Sequence, residues 1–397
     1  MLLNKPRLLE RMKDFCVDVL IATSPENVTY VSGFWALPQW IRRGPQVYAV
    51  WPLPDRGEPE IITGTSTLDL IADQNVDVAK VRRYGEFHVE VTDLGIPDAV
   101  DGRHMELRSS RSYEDAFSAL ASALDELDIA NTRIAIDESG IDHSTIEKLK
   151  DRFPSTRWLP AAAILRDVRA VKTAEEIERL RTVARIAERA VHAALSVAQV
   201  GATEMELARA FHTQTVQDDA LPVLGCIGFG QRGALMNVQP SARRLKGGEV
   251  IRFDVGGRFR HYRADIARNA VIGALPSDVV QTHAALLEGV RRGADAVRPG
   301  VPAAKVFETV METVRMTGLP NYIRDHVGHG IGLDGYDAPI LSARSADVIE
   351  EGMVVCIETP YYRSGEFGIQ VEDMFVVRRD GAELLTETDG ALIEMRL

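Results

Sequence analysis

The run Val250-Ile251-Arg252-Phe253-Asp254-Val255-Gly256-Gly257, followed by Tyr262-Arg263-Ala264-Asp265-Ile266-Ala267-Arg268, sets an aspartate inside each of two apolar segments separated by glycines. The pattern predicts strands over 250–255 and 262–271, joined as a hairpin with one acid on each arm. Burying an unpaired carboxylate in such a strand costs on the order of several kcal/mol, so each acid needs a metal or a basic partner. Taken alone, Asp254 and Asp265 have a structural reading as ion-pair partners of Arg252 or Arg268. The irregularity then recurs in Met353-Val354-Val355-Cys356-Ile357-Glu358-Thr359 and in Gly368-Ile369-Gln370-Val371-Glu372-Asp373-Met374, predicted as strands over 353–359 and 368–377. Between the two pairs lies His326-Val327-Gly328-His329-Gly330-Ile331-Gly332-Leu333, whose glycines let backbone or substrate come close to His329. Four acids and one imidazole, Asp254, Asp265, His329, Glu358 and Glu372, form a recurring ligand set for two divalent ions, and the combination is more specific than any member.

Outward from this stretch the periodicity becomes helical. Thr173-Ala174-Glu175-Glu176 has capping-box spacing at the head of a helix running to about residue 198, and Thr203 to Glu206 repeats the signal after Gly201. A second helix pair is expected over 277–297 and 302–317, with Gly300 standing where Gly201 stands in the first, a sign of internal duplication. Residues 166–397 therefore read as an α+β domain with helices outside an antiparallel sheet. Residues 1–165 read as a smaller α/β domain. Its elements are a helix over 7–15, strands over 17–23, 47–51 and 134–137, a turn at Ser24-Pro25-Glu26-Asn27 and a helix over 112–127, with no glycine-rich phosphate loop.

At 397 residues, 45% hydrophobic and 26% charged, the chain is long enough for two separate cores. A formal net charge of −12 argues against binding a phosphate backbone, so nucleic acid is excluded as an expected partner. Cys16, Cys226 and Cys356 each sit in an apolar run and read as buried, reduced thiols. With no signal peptide and no uninterrupted apolar stretch of about 18 residues, a cytoplasmic protein without a membrane partner is expected.

The order of the motifs, Asp254 in Phe-Asp-Val-Gly-Gly, Asp265 in Tyr-Arg-Ala-Asp-Ile-Ala-Arg, then Gly-His-Gly-Ile-Gly-Leu, Gly-Met-Val-Val-Cys-Ile-Glu and Ile-Gln-Val-Glu-Asp, resembles the creatinase/aminopeptidase P/prolidase family. The likeness extends to Arg169, Lys172-Thr173, Glu176-Ile177 and Leu180-Arg181, and to the 24–34 segment of the smaller domain, which is similar to a creatinase-type N-terminal domain. The resemblance implies a C-terminal pita-bread domain. It implies that Asp254 binds one metal, that Asp265 and Glu372 bridge two, and that His329 and Glu358 complete the second. Two such ions, Mn, Co, Zn or Fe, lower the pKa of a shared water and polarise a carbonyl, with Glu358 as proton shuttle. The implied reaction is hydrolysis of an amide C–N bond in a dipeptide or small amide, like that of an Xaa-Pro dipeptidase or aminopeptidase, by a homodimer.

The sequence departs from the peptidase pattern at three places. Asn237 and Tyr336 stand where family peptidases carry histidines, and neither is a near-neutral acid or base. Gln370 stands where many carry arginine, which removes a fixed positive charge beside Glu372. His326 is the residue placed to substitute for a lost imidazole, with Tyr336 as a phenolic donor, whereas His261 is expected in solvent. Asn237 and Tyr336 are candidate substrate contacts. In creatinase-like dimers a segment of one subunit reaches the other's site, so by resemblance Trp40 or Arg43 would hold a substrate carboxylate. The alternatives are a hydrolase of small nitrogen compounds, such as creatine or ectoine, a lyase of the same fold, a metal-free creatinase-like hydrolase, or a non-catalytic binding module.

Overall fold

The computed structural model describes residues 2–41, 46–74, 76, 78–90 and 98–396. Contacts divide the chain into two units, Met1–Val168 and Arg169–Leu397. The expected boundary at 165/166 falls inside the helix Ala162–Ala170.

The first unit is built on a seven-stranded sheet in the spatial order Ser112–Tyr113, Lys80–Tyr84, Glu60–Gly64, Tyr48–Pro52, Val19–Ala22, Arg133–Ile136, Arg157–Pro160. Val19–Ala22 is buried at all four positions, as a central strand covered on both faces must be. Ser24-Pro25 does not make a turn: it opens the helix Pro25–Ser32, with Ser24 as N-cap and proline in the first turn, where its missing N–H removes no hydrogen bond. Asp137 explains why. Its Oδ2 accepts from Ser24 N and Oγ and from Asn27 Nδ2 at 2.6 to 2.9 Å, tying the helix start to the end of a neighbouring strand. The predicted helix over 112–127 is shorter, Ala116–Glu126, because Asp115 caps it through Ser118 N at 2.7 Å, and Ser112–Tyr113 pairs as a strand instead. Cys16, expected buried, is exposed just after the first helix, whereas Cys226 and Cys356 are buried.

The second unit is a ten-stranded sheet with paired helices against it. Its main path runs Tyr262–Arg263, Val250–Phe259, Ile266–Ile272, Phe367–Arg378, Val354–Arg363, His326–Gly330, Asp337–Ser342. All pairings are antiparallel except that of Ile393–Met395 with Ile266–Ile272. The helices Ala174–Ser196 and Glu204–Gln217 each begin at the expected box, with the Thr173 and Thr203 hydroxyls accepting from the backbone N–H of Glu176 and Glu206 and the threonine N–H groups donating to those glutamates' carboxylates. In the second pair, Ser277–Ala296 packs on the strands Val354–Arg363 and Phe367–Arg378, while Ala303–Thr317 packs on it and on the strands Asp337–Ser342 and His326–Gly330. Val355, Ile357, Ile369, Val371, Phe375 and Val377 belong to the core formed with those helices. By strand alternation the even-numbered residues between them face the other way. Among the described residues no helix is long and apolar enough to cross a membrane.

Candidate metal centre

Register places the acids in one line. Asp254 pairs with Ala267, Ala267 with Glu372, and Glu372 with Glu358, so three carboxylates and one methyl group occupy a single row across four strands. Cross-strand neighbours stand about 5 Å apart, close enough for their carboxylates to converge above the small Ala267 side chain. Asp265 is not on the arm of an uninterrupted strand. It sits in the break between Tyr262–Arg263 and Ile266–Ile272, which frees its carboxylate to turn toward Asp254. Side-chain oxygens of Asp254, Asp265 and Glu372 lie within 4.8 Å of one another. A second group, His329, Cys356 and Glu372, meets the same limit, so Glu372 belongs to both. His329 pairs in register with Cys356, two residues from Glu358 on the same face. Its glycine flanks are required: a Cβ on Gly328 would stand 2.1 Å from Cys356 O, and one on Gly330 2.0 Å from Ala338 O.

Four acids in so small a volume perturb one another. Burial, then the charges of Asp265, Glu358 and Asp254, holds Glu372 well above the usual carboxylate range. Burial and the Asp254 and Glu358 charges do the same to Asp265. Asp254 is pushed up to about 6 by burial and Glu358, against the pull of Arg252. Glu358 alone moves down: burial raises it, but His326, His329 and Arg324 together outweigh that, with His326 Nδ1 3.1 Å from Glu358 Oε1. Asp265 Oδ1, Glu358 Oε1 and Glu372 Oε1 are buried with no hydrogen-bond partner among the described residues. Burial depresses His329, and its Nδ1 lies 3.0 Å from Gly330 O, so the neutral ring donates there and leaves the Nε2 lone pair toward Glu372 Oε1, 3.9 Å away.

The sequence candidates separate clearly. Tyr336 is half exposed and stacks on His329, with centroids 3.8 Å apart and planes 19° from parallel; His326 approaches both rings edge-on. The backbone beside Tyr336 is fixed by Asp337, whose Oδ1 accepts from Arg169 Nη2 at 2.9 Å. Asn237 is exposed, directly after two carbonyls, Leu235 O and Met236 O, that accept from Arg252. His261, read as solvent-exposed, is part-buried. Trp40 lies in the first unit, where its Nε1 donates to Thr29 Oγ1 at 3.1 Å, and Arg43 lies outside the described residues. Neither basic residue considered as an acid's partner neutralises the centre. Arg268 pairs with Asp373 at 2.8 Å on the opposite face. Arg252 comes no nearer than 4.0 Å to Asp254 and bonds instead to Gln370 and Tyr362. Tyr362 and the thiol of Cys356 were not singled out from sequence for this place; strand alternation from Glu358 is the signal that puts Cys356 on its face.

Residues 178–379 match the description of Metallopeptidase family M24, and residues 6–171 that of the Creatinase/Prolidase N-terminal domain. The chain is 28% identical over 267 residues to the Xaa-Pro dipeptidase of Pyrococcus furiosus, covering 67% of this chain and 77% of that one. It is 28% identical over 258 residues to the Xaa-Pro dipeptidase of Pyrococcus horikoshii, covering 64% and 74%. Among solved structures, the Xaa-Pro dipeptidase from Bacillus anthracis superposes with a TM-score of 0.80 at 21% identity, over 99% of this chain and 100% of that one. The prolidase of Pyrococcus horikoshii gives 0.78 at 21%, over 98% and 99%.

Proposed function

The chain belongs to metallopeptidase family M24 and is a metal-dependent hydrolase, and on that premise we propose that it cleaves the peptide bond of Xaa-Pro dipeptides with two divalent ions held by Asp254, Asp265, His329, Glu358 and Glu372. The observation that carries the proposal is the cluster of converging carboxylates with three buried oxygens, Asp265 Oδ1, Glu358 Oε1 and Glu372 Oε1, that no donor among the described residues satisfies. An apolar or purely ion-paired site would not leave them so, because an unmatched buried charge is strongly destabilising. The donor set of carboxylates and one neutral imidazole suits Mn, Co, Zn or Fe. When bound, such ions supply a nucleophilic hydroxide near neutral pH and polarise the carbonyl under attack.

The remaining work falls to the chain's own groups. Glu358 is the residue placed to accept a proton at Oε1 and pass it to the departing nitrogen, with His326 beside it stabilising its charged form. Tyr336 covers one face of His329, excluding water from it, and lies close enough to Glu358, Glu372 and Asp265 to feel their charges. Asn237 offers a carboxamide to the substrate's end. On the family resemblance, Trp40 or Arg43 of a second subunit would hold a substrate carboxylate in a cytoplasmic homodimer, whose assembly sedimentation measurements test. The small-amide and lyase alternatives are not favoured by the relatives found.

The decisive experiment is metal analysis of the purified protein, followed by turnover of Xaa-Pro dipeptides and a panel of small amides with and without added Mn2+. Uptake of two ions per chain and metal-dependent release of proline are expected. A pure protein that holds no metal and gains none on titration refutes the centre; metal uptake with turnover confined to small amides refutes the substrate.

A further inference from the structure

Arg252 has a fully buried side chain on the same strand face as Asp254, an expensive placement that its terminal nitrogens offset by hydrogen bonding, while its Nε has no partner among the described residues. Its Nη1 donates to Gln370 Oε1 at 3.2 Å and to Tyr362 Oη at 3.0 Å, while Nη2 donates to Leu235 O at 3.0 Å and Met236 O at 2.8 Å. Tyr362 Oη in turn donates to Gln370 Oε1 at 3.0 Å. Two donors therefore converge on the Gln370 carbonyl oxygen, and the amide has one orientation only: turned over, its NH2 would face both donors. In that orientation Nε2 donates to Glu372 Oε2 at 3.0 Å. Glu372 is left with Oε2 satisfied and with Oε1 lacking a hydrogen-bond partner among the described residues, 3.9 Å from His329 Nε2. The row alongside the acids supports this arrangement, since Arg252 pairs with Asn269, and Asn269 Nδ2 donates to Gln370 O at 2.7 Å, fixing the backbone from which the amide projects.

We propose that Arg252 is the positioning residue of the centre: by locking the Gln370 amide it sets which oxygen of Glu372 is offered to metal, and by the same guanidinium it tethers the 235–236 segment that presents Asn237. The inference rests on the two-metal reading above. It also revises what the sequence suggested about Gln370. The positive charge missing at that position is present, delivered from a strand two places away and acting through a neutral relay. One cation thus serves the metal side and the substrate side at once, and the two effects separate by mutation.

The test is a double-mutant cycle on the full chain. Mn2+ affinity is measured by titration calorimetry of the metal-free protein, alongside its unfolding midpoint and the KM and kcat for an Xaa-Pro dipeptide. Arg252→Met and Gln370→Met are each expected to weaken Mn2+ binding about ten- to a hundredfold, the usual effect of removing a group that orients a metal ligand. Combined, they should lose no more than the stronger single change, because both act through Glu372. Arg252→Met alone should also raise KM, since Gln370→Met leaves the tether to Leu235 and Met236 in place. Gln370→Met retains the buried arginine, so the relay stays testable if Arg252→Met does not fold. Wild-type Mn2+ affinity in Gln370→Met, or additive losses in the double variant, overturns the relay. Equal KM in the two single variants overturns the tether. A wild-type protein that takes up none of Mn2+, Co2+, Zn2+ and Fe2+ overturns the centre itself, a different result from any of these.

Discussion

Replacing Glu372 by Gln should make the metal-free protein more stable and abolish the stabilisation that Mn2+ gives wild type. The side chain is 2% exposed, shares its surroundings with Asp254, Asp265 and Glu358, and accepts a hydrogen bond from Gln370 Nε2. A neutral isostere keeps that hydrogen bond through its carbonyl oxygen and removes one of four crowded charges. Relieving a buried, uncompensated charge is worth on the order of 1–3 kcal/mol here, below the roughly 3–5 kcal/mol of a fully unpaired one, because protonation already softens the penalty. For a domain of this size each kcal/mol moves the midpoint by about 2–4 °C, so the metal-free variant should melt about 2–12 °C above metal-free wild type. Wild type should gain from Mn2+ about 2.7 kcal/mol at a hundred times Kd, or about 5–11 °C, and the variant almost nothing, since Glu372 belongs to both ligand groups. Differential scanning fluorimetry with chelator and with Mn2+ reads all four values. If the metal-free variant is less stable than metal-free wild type, Glu372 is a structural hydrogen-bonding residue and the argument from converging carboxylates fails.

Ala267→Leu tests the row without touching any ligand: three extra carbons between Asp254 and Glu372 should abolish metal content by mass spectrometry, while overpacking costs about 1–3 kcal/mol and leaves a folded circular-dichroism spectrum. Full metal content in that variant would show that the ions do not lie above the row. Tyr336→Phe keeps the stack on His329 and removes the phenol, so metal content should be unchanged and kcat/KM should fall about tenfold or more, as for loss of one hydrogen bond to a developing charge. In the first unit, burial would raise Asp137, but hydrogen bonds from Ser24, Asn27 and Ser139 hold it below the ordinary carboxylate range. A depressed acid stabilises the fold above its unfolded pKa of about 3.9 and loses that contribution as pH falls through the lower folded value. Asp137→Ala should therefore cost about 3–5 kcal/mol at neutral pH in denaturant unfolding, because several buried donors lose their acceptor, and the gap to wild type should narrow only below about pH 4.

What could be read from the sequence and what could not divides along a physical line. The helix starts at Thr173 and Thr203 were legible because a capping box is satisfied within four residues, whatever the rest of the chain does. The strands carrying Glu358 and Glu372 were legible because alternation is local too. Ser24-Pro25 has signals for both a turn and a helix start, and the choice is made by Asp137, more than a hundred residues away. Asp265 was placed on a continuous strand because nothing local reports that pairing lapses at Ala264 and Asp265, although that lapse is what turns its carboxylate toward Asp254. Cys16 reads as apolar but lies where the chain leaves a helix at a φ of 51°, a bend that exposes it.

Gln370 shows the limit most sharply. Considered by position, it is a lost charge beside Glu372. Its actual electrostatic partner is set by sheet order, which places the 250–259 strand one strand removed from 367–378 and brings Arg252 into contact across Asn269. A residue type at one position therefore says little about the field at a metal ligand until the strand neighbours are known. The substitutions that made a peptidase assignment look insecure, Asn237, Tyr336 and Gln370, all sit on or beside elements tied to the five ligands by contacts in the fold: Asn237 through Arg252, Tyr336 by its stack on His329, and Gln370 by its bond to Glu372. Changes so connected alter how the centre is oriented and what it admits, while leaving the ligands that do the chemistry in place.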